Sequence, residues 1–543
     1  MKGSIKMDNG NDEIFLLKCT ECGQAFFTQG EKEFYETKGL SIPKRCKECR
    51  EKRKHFIKNS AYIAPIDSPT QQVYDEIIEN WSIESKKENN AYFYNVKEVE
   101  AITSGKKSYV IGRKGSGKTA IAQHLCEIEA STTFSDKLTF KNFPFNLLYS
   151  LANNSGYTTP NQFISIWKYL IFSYICKKMT CNENIDRSVR DKLIALYGDS
   201  PAESLTRLIE KWTSKGFGVE LFGIGFNYER EKQNSSTTWI DAIEILQQVI
   251  LNYWDESNYY IVFDELDEDY KDFPSEQERD NYMSMLTSLF KAVQDVRSIV
   301  DPYGKHIFPV VFLRSDIYAR IKDSDKNKWY ESIIDLEWNT AEIQNMLAHR
   351  LCVSYNIPDT DFYSVWNRLF EMNMVRMGNR QTRKMQIYTY IERSTEMRPR
   401  DFIQYVKEAA TLAKARSEKI ISAQSVKDAD DDFSEYLKRE TIDELFAVIP
   451  EINEILGLLS TIRKQSFQFA DFEREYNALV KRGLIPQGDV RNILLNLFDA
   501  GVIGNQPSMK GQSIFRFSKK SPRFNFNETM IVHRGLYKSL QIF

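Results

Sequence analysis

The chain has 543 residues, enough for several domains, and its 42% hydrophobic, 27% charged and 13% aromatic content is that of a globular protein. Lys and Arg number 73 against 75 Asp and Glu, a formal net charge of -2. This balance excludes nucleic-acid binding by bulk electrostatics, so any such role must use local basic patches. No apolar run is long enough to span a bilayer, nothing at the start reads as a signal peptide, and there are no internal repeats. A membrane partner is therefore excluded and a cytoplasmic setting expected.

The first pattern in chain order is a pair of cysteine knuckles, Cys19-x2-Cys22 and Cys46-x2-Cys49. Four thiolates spaced in this way suit a tetrahedral, closed and therefore structural Zn2+ site. The 23 intervening residues are too few for a core of their own, so metal binding would supply folding energy. The alternative is that these are buried or disulfide-bonded cysteines, which a reducing compartment disfavours. Cys126, Cys176, Cys181 and Cys352 are scattered and read as ordinary thiols. The segments "CTECGQAFFTQGEKEFYETKGL" and "PKRCKECR" resemble a small bacterial zinc-ribbon family, which implies a fold and a zinc ion but no activity. The basic run Lys44 to Lys54 is either a partner surface or a solvated helix face. The expected organisation is a zinc ribbon at 1–56, a Ser-, Pro- and Asn-bearing linker at 57–90, a core at 91–340, a helical lid at 341–440 and a winged-helix-like domain at 441–543.

The stretch "SYVIGRKGSGKTAIAQHL" contains Gly112-x4-Gly117-Lys118-Thr119, a phosphate-loop pattern set between a strand, Ser108 to Ile111, and a helix, Thr119 to Ile128. The loop, Gly112, Arg113, Lys114, Gly115, Ser116, Gly117, Lys118, Thr119 and Ala120, would wrap the phosphates of ATP with backbone N–H groups at a helix N-terminus. Lys118 would reach the β- and γ-phosphates, and the Thr119 hydroxyl would bind Mg2+.

Downstream, "NYYIVFDELDEDY" supplies a second buried strand, Tyr259 to Phe263, ending in Asp264 and Glu265. Asp264 would hold magnesium through water, and Glu265 would orient and deprotonate the attacking water. Glu268 and Asp269 read as a solvated loop, with Asp267 open. Between the two motifs, 216–232 alternates Gly with apolar residues and reads as an inserted hairpin, either a sheet extension or an oligomer contact. No arginine finger can be chosen among Arg187, Arg207 and Arg230.

A third strand, "IFPVVFLRSDIYARI", ends in Arg314-Ser315-Asp316, and Arg314 or Ser315 is either a γ-phosphate sensor or a strand-end cap. In "STEMRPRDFIQYVKEAATLAKA", Phe402, Ile403, Val406, Ala409, Ala410 and Ala413 recur at helical spacing behind Arg398 and Arg400. Arg400, then Arg398, is the candidate lid arginine; the plainer reading is a surface arginine capping a carboxylate.

These motifs together resemble bacterial P-loop ATPases of the AAA+/STAND type, of the kind often found near anti-phage defence genes, over Tyr92 to Ser434. The resemblance implies an α/β fold, a P-loop NTPase core with a parallel sheet and a helical lid. It also implies ATP, Mg2+ and homo-oligomerisation. A separate effector protein would carry any killing chemistry.

From Ile442 the order is helix, helix, helix and hairpin, that of a winged helix, with Arg491, Lys510, Arg516, Lys519, Lys520 and Arg523 available to phosphates. The apolar tail "MIVHRGLYKSLQIF" is expected to dock on the domain. Two functions follow: a nucleotide-driven switch, or an ATPase motor or loader whose zinc ribbon and winged helix grip DNA or RNA.

Overall fold

The computed structural model describes residues 15–18, 25–37, 43, 46–47, 70–82, 91–128, 130–139, 159–198, 211, 239–266, 276–377, 382–446, 448–507, 513–518 and 522–542. The chain forms two compact units, 1–69 and 70–543. In the first, strands β1 (Phe15–Lys18) and β2 (Ala25–Thr28) form an antiparallel hairpin, and helix α1 (Gln29–Thr37) follows. Thr28 and Glu31 exchange hydrogen bonds at the start of α1, a reciprocal cap that fixes where the helix begins.

The second unit opens with α2 (Thr70–Asn80) and α3 (Lys97–Thr103). Composition places α2 in a linker, but Val73, Tyr74, Ile77 and Trp81 are buried in the core of the helical region. Their i, i+3, i+4 spacing makes one apolar stripe, a stronger signal than the polar residues around it.

The central sheet is built from β3 (Tyr109–Gly112), β4 (Thr133–Thr139), β5 (Asn258–Asp264), β6 (Ile307–Arg314) and β7 (Ile333–Leu336). All four pairings are parallel, in the order β4-β5-β6-β3-β7. Helix α4 (Lys118–Cys126) crosses from β3 to β4. Between β4 and β5 come α5 (Thr159–Met179), α6 (Arg187–Tyr197) and α7 (Trp239–Tyr253); α8 (Glu276–Val300) joins β5 to β6, and α9 (Ser315–Arg320) follows β6. Both faces of the sheet are covered, so the strands read as continuous apolar runs. Along β6, Ile307, Val311 and Leu313 pack with α5, α7 and α8, while Phe308, Val310 and Phe312 pack with α3 and α4. Buried polar tips find backbone partners: Tyr109 Oη donates to Phe290 O at 2.8 Å and Trp167 Nε1 to Met285 O at 3.0 Å.

The helical region comprises α10 (Thr340–Ser354), α11 (Phe362–Leu369), the small hairpin β8 (Val375–Met377) and β9 (Arg383–Met385), α12 (Ile387–Glu392), α13 (Pro399–Ala415) and α14 (Ala423–Leu445). Asn339 and Glu342 form a capping box at the head of α10. Pro399 occupies the first turn of α13, where its missing N–H costs nothing.

Then come α15 (Ile452–Ile462), β10 (Ser466–Phe467), α16 (Phe469–Lys481), α17 (Val490–Asp499), β11 (Ile503–Gln506) and β12 (Thr529–Val532). The strands pair antiparallel in the order β10-β12-β11, a small sheet set among the three helices in chain order. Among the described residues, the strand-rich run expected around 513–527 adds only a bridge from Asn505 to Ile514. The Asn505 side chain explains this: Nδ2 donates to Asn525 O at 2.9 Å, and Oδ1 accepts from Asn525 N at 2.8 Å. A side chain thus satisfies backbone groups that a strand would have paired. The C-terminal tail docks as expected, with Leu536, Leu540 and Ile542 buried.

Candidate functional site: the phosphate loop and its acidic surround

Gly112 ends β3 and Lys118 begins α4, so the five residues between them form a loop at the C-terminal edge of the sheet, where α/β ligand sites lie. Gly115 (φ +80°) and Gly117 (φ +97°) adopt left-handed backbone conformations. A Cβ on Gly115 would also lie 3.2 Å from Arg400 Cβ. The helix begins at Lys118 and ends at Cys126, a shorter span than the sequence suggests. Lys118 Nζ folds back and donates to Gly112 O and Arg113 O, each at 3.0 Å. Trp338 Nε1 donates to Ser116 O at 2.8 Å, and the buried Ser116 hydroxyl has no protein partner. A tight loop with left-handed glycines, an orphaned hydroxyl and a lysine held over it fits a phosphate chain.

Asp264 ends β5 and is buried. Burial pushes its carboxyl above the ordinary range, while Lys137, the Glu265 N–H, Lys118 and the Thr119 hydroxyl pull it back. The structure therefore brings Lys118, Thr119 and Asp264 into one cluster. Lys137 Nζ, on the neighbouring strand β4, lies 3.5 Å from Asp264 Oδ2. Glu265 follows with φ +58°, a left-handed conformation that strains a non-glycine residue by about 1 kcal/mol. Asp267, Glu268 and Asp269 lie outside the described residues, as do the 216–232 segment, Arg207 and Arg230. Arg187 is exposed and 3.8 Å from Asp191.

The lid closes on the tip of this loop through charge. Arg113 pairs with the buried Glu396, and its guanidinium lies 5.5 Å from the centre of the Phe517 ring. Lys114 Nζ lies 3.2 Å from Glu440 Oε2, which also accepts from Arg400 Nη1 at 3.0 Å. Arg398 is buried, bound to Asp401 at 3.1 Å, and donates through Nη1 to Lys114 O at 3.2 Å. Arg314, at the end of β6, is held in a fork by Asp316 at 3.0 and 2.8 Å. Glu444 stands 3.9 Å from both Arg314 and Arg398. Arg314 and Arg398 are thus both buried and tied to carboxylates, and Arg400 is the more exposed of the two lid arginines. Ser315 opens α9 beside Arg314.

Two of the surrounding carboxylates, Glu440 and Glu396, are held towards their charged form by these cations. Burial pushes Glu440 up, but Lys114 and Arg400 outweigh it and hold the carboxyl below its ordinary range. The same contest, settled by Arg398 and Arg113, lowers Glu396. Sequence reasoning missed Lys137, Glu396, Glu440, Glu444 and Trp338. The first four carry faint signals: a lysine in the strand "TFSDKLT", a Glu before "RPRD", and a Glu440/Glu444 pair one helical turn apart in "KRETIDELF".

In the first unit, Cys46 is buried with Phe26 and packs near Tyr35, whereas Cys19, Cys22 and Cys49 lie outside the described residues. Among the described residues no three His, Cys, Asp or Glu side chains form a metal cluster, and no helix is long and apolar enough to cross a membrane. Of the C-terminal cations, Arg491 is exposed and lies over the Phe526 and Phe469 rings at 4.9 and 5.3 Å. Arg516 is 3.8 Å from Asp499, and Arg523 is exposed. Lys510, Lys519 and Lys520 lie outside the described residues.

Two family models match parts of the chain. Residues 15–57 match a probable treble clef domain, in place of the expected ribbon, and residues 341–441 match the FunZ-associated C-terminal helical domain. A curated relative, the putative transposon gamma-delta 80.3 kDa protein of Escherichia coli K12, is 21% identical over 514 residues, covering 88% of this chain and 68% of its own. Among solved structures, the Aeropyrum pernix ORC2 protein is 13% identical with a TM-score of 0.38, covering 83% of this chain and 95% of its own. The Walker-type ATPase paby2304 of Pyrococcus abyssi is 11% identical with a TM-score of 0.37, covering 85% and 99%. Cdc6p from Pyrobaculum aerophilum is 13% identical with a TM-score of 0.30, covering 86% and 96%.

Proposed function

We propose that the protein is an ATP-hydrolysing switch whose nucleotide site is the loop from Gly112 to Thr119. The observation that carries this reading is the meeting of Lys118, Thr119 and Asp264 at the edge of a parallel sheet, directly below a loop with two left-handed glycines. The loop N–H groups and the N-terminus of α4 receive the phosphates, and Lys118 exchanges its two carbonyl partners for phosphate oxygens. Thr119 and Asp264 would hold magnesium, whose chemistry when bound is to neutralise charge on the phosphates. Glu265 takes the proton of the attacking water. Arg400, and behind it Arg398 and Arg314, carry nucleotide state to the lid, and a homo-oligomer is the assembled form. Cys19, Cys22, Cys46 and Cys49 bind Zn2+ in the first unit.

The test is hydrolysis and binding by the full chain. Lys118→Ala should abolish ATP binding. Glu265→Gln should retain binding and lose about 10²–10⁴-fold in turnover. Unchanged binding by the first variant would remove the site assignment. A place in a bacterial anti-phage defence system, with a separate effector protein, rests on the family resemblance; loss of phage protection in the Lys118→Ala strain is its test. Nucleic-acid engagement is the second reading, favoured by exposed Arg491 and Arg523 beside Phe524 and Phe526 on the C-terminal domain. Stimulation of hydrolysis by DNA or RNA, lost on reversing those charges, would select it.

A further inference from the structure

We propose that Glu440 is a positioning residue that competes with nucleotide phosphate for Lys114 and Arg400, and so couples ATP binding to α14. The inference rests on the reading of the loop as an ATP site.

One carboxylate here serves two cations. Glu440 Oε2 is 3.2 Å from Lys114 Nζ and 3.0 Å from Arg400 Nη1, with its side chain only 17% exposed. Both cations belong to the ring around the loop tip: Lys114 is in the loop, and Arg400 N faces Gly115 O at 3.5 Å. An arriving triphosphate is an anion offered to the same two groups, at the same place. Contacts to phosphate are made at the expense of contacts to Glu440, so the nucleotide-competent state carries a population cost that the carboxylate sets.

The helix that bears Glu440 also holds the C-terminal tail. Further back along α14, Asp430 Oδ2 accepts from Arg534 Nη2 at 2.7 Å, and Ser434 Oγ accepts from Ser539 N at 2.9 Å. One turn ahead, Glu444 faces Arg314 and Arg398. Release of Glu440 therefore unpins the C-terminal end of a helix whose middle holds the C-terminal tail.

The experiment measures ATP affinity of the full chain by calorimetry, with hydrogen exchange across 423–445 and 529–542. Glu440→Gln keeps size and removes charge; it should tighten ATP binding by about five-fold, the equivalent of one partly buried ion pair. It should also abolish the ATP-dependent change in exchange, because the contact is already released. Glu440→Asp, too short to reach both cations, should shift affinity in the same direction if the first variant does not fold. In a Lys114→Gln background the gain from Glu440→Gln should shrink, as a coupled pair requires. Unchanged or weaker ATP binding, with wild-type exchange behaviour, would overturn the proposal. Wild-type protein that binds ATP no better than Lys118→Ala would instead overturn the site itself.

Discussion

Gly115 shows how much one residue decides. Its φ of +80° is one that side-chain-bearing residues rarely adopt, and a Cβ there would press on Arg400 Cβ at 3.2 Å. Gly115→Ala should therefore destabilise the second unit by more than about 1 kcal/mol and loosen the lid on the loop. A urea midpoint equal to that of the wild type would show that the loop tip relaxes without cost. The motif places this glycine at one of the variable positions inside the loop, and only the structure shows that its neighbours are the lid residues Arg400 and Arg398. The same holds for Arg314 and Arg398. Their positions at a strand end and a helix start were legible, whereas their partners, Asp316 for one and Asp401 for the other, were not. A carboxylate's choice among several nearby arginines depends on distances that no local pattern contains.

At the scale of elements, hydrophobic periodicity was the reliable guide. Helix α13 buries the six apolar positions its spacing marks. The C-terminal tail is held more by polar groups than its apolar ending suggests. His533 is buried beside Phe515 and Phe517, and burial pushes its imidazole down from 6.5 to about 4 against the pull of Glu396. The folded chain keeps this ring neutral, while the unfolded chain takes up a proton below pH 6.5. The stabilisation is therefore complete above pH 6.5 and is lost progressively as pH falls towards about 4. From pH 7 to pH 5 the loss should be about 2 kcal/mol, read from urea midpoints. His533→Phe should flatten that slope; a slope unchanged by the substitution would assign it to other groups.

For the whole molecule, the division into 1–69 and 70–543 separates two sources of stability. The second unit has large apolar cores, whereas the described core of the first is Phe26, Cys46 and Tyr35. In a unit of only 69 residues, four thiolates closing on one metal would supply folding energy directly. Metal analysis should give one zinc per chain. Removing it with a chelator should unfold the first unit while leaving ATP binding by the second intact. A metal-free protein with an undiminished first unit would contradict the four-cysteine assignment.

The residues alone determined the phosphate loop, the two carboxylates at the end of β5, the buried strands and the order of helices, because each depends on contacts within a few positions or on a fixed period. Tertiary structure decided what stands opposite them. Strand order set β6 between the loop-bearing and carboxylate-bearing strands, and the packing of α2 placed a supposed linker in the core. Glu396 and Glu440 stand 283 and 326 positions from Arg113 and Lys114, the loop residues they pair with. Ion pairs are selected by proximity after the chain has folded, so their partners become visible only when the cores have brought distant segments together.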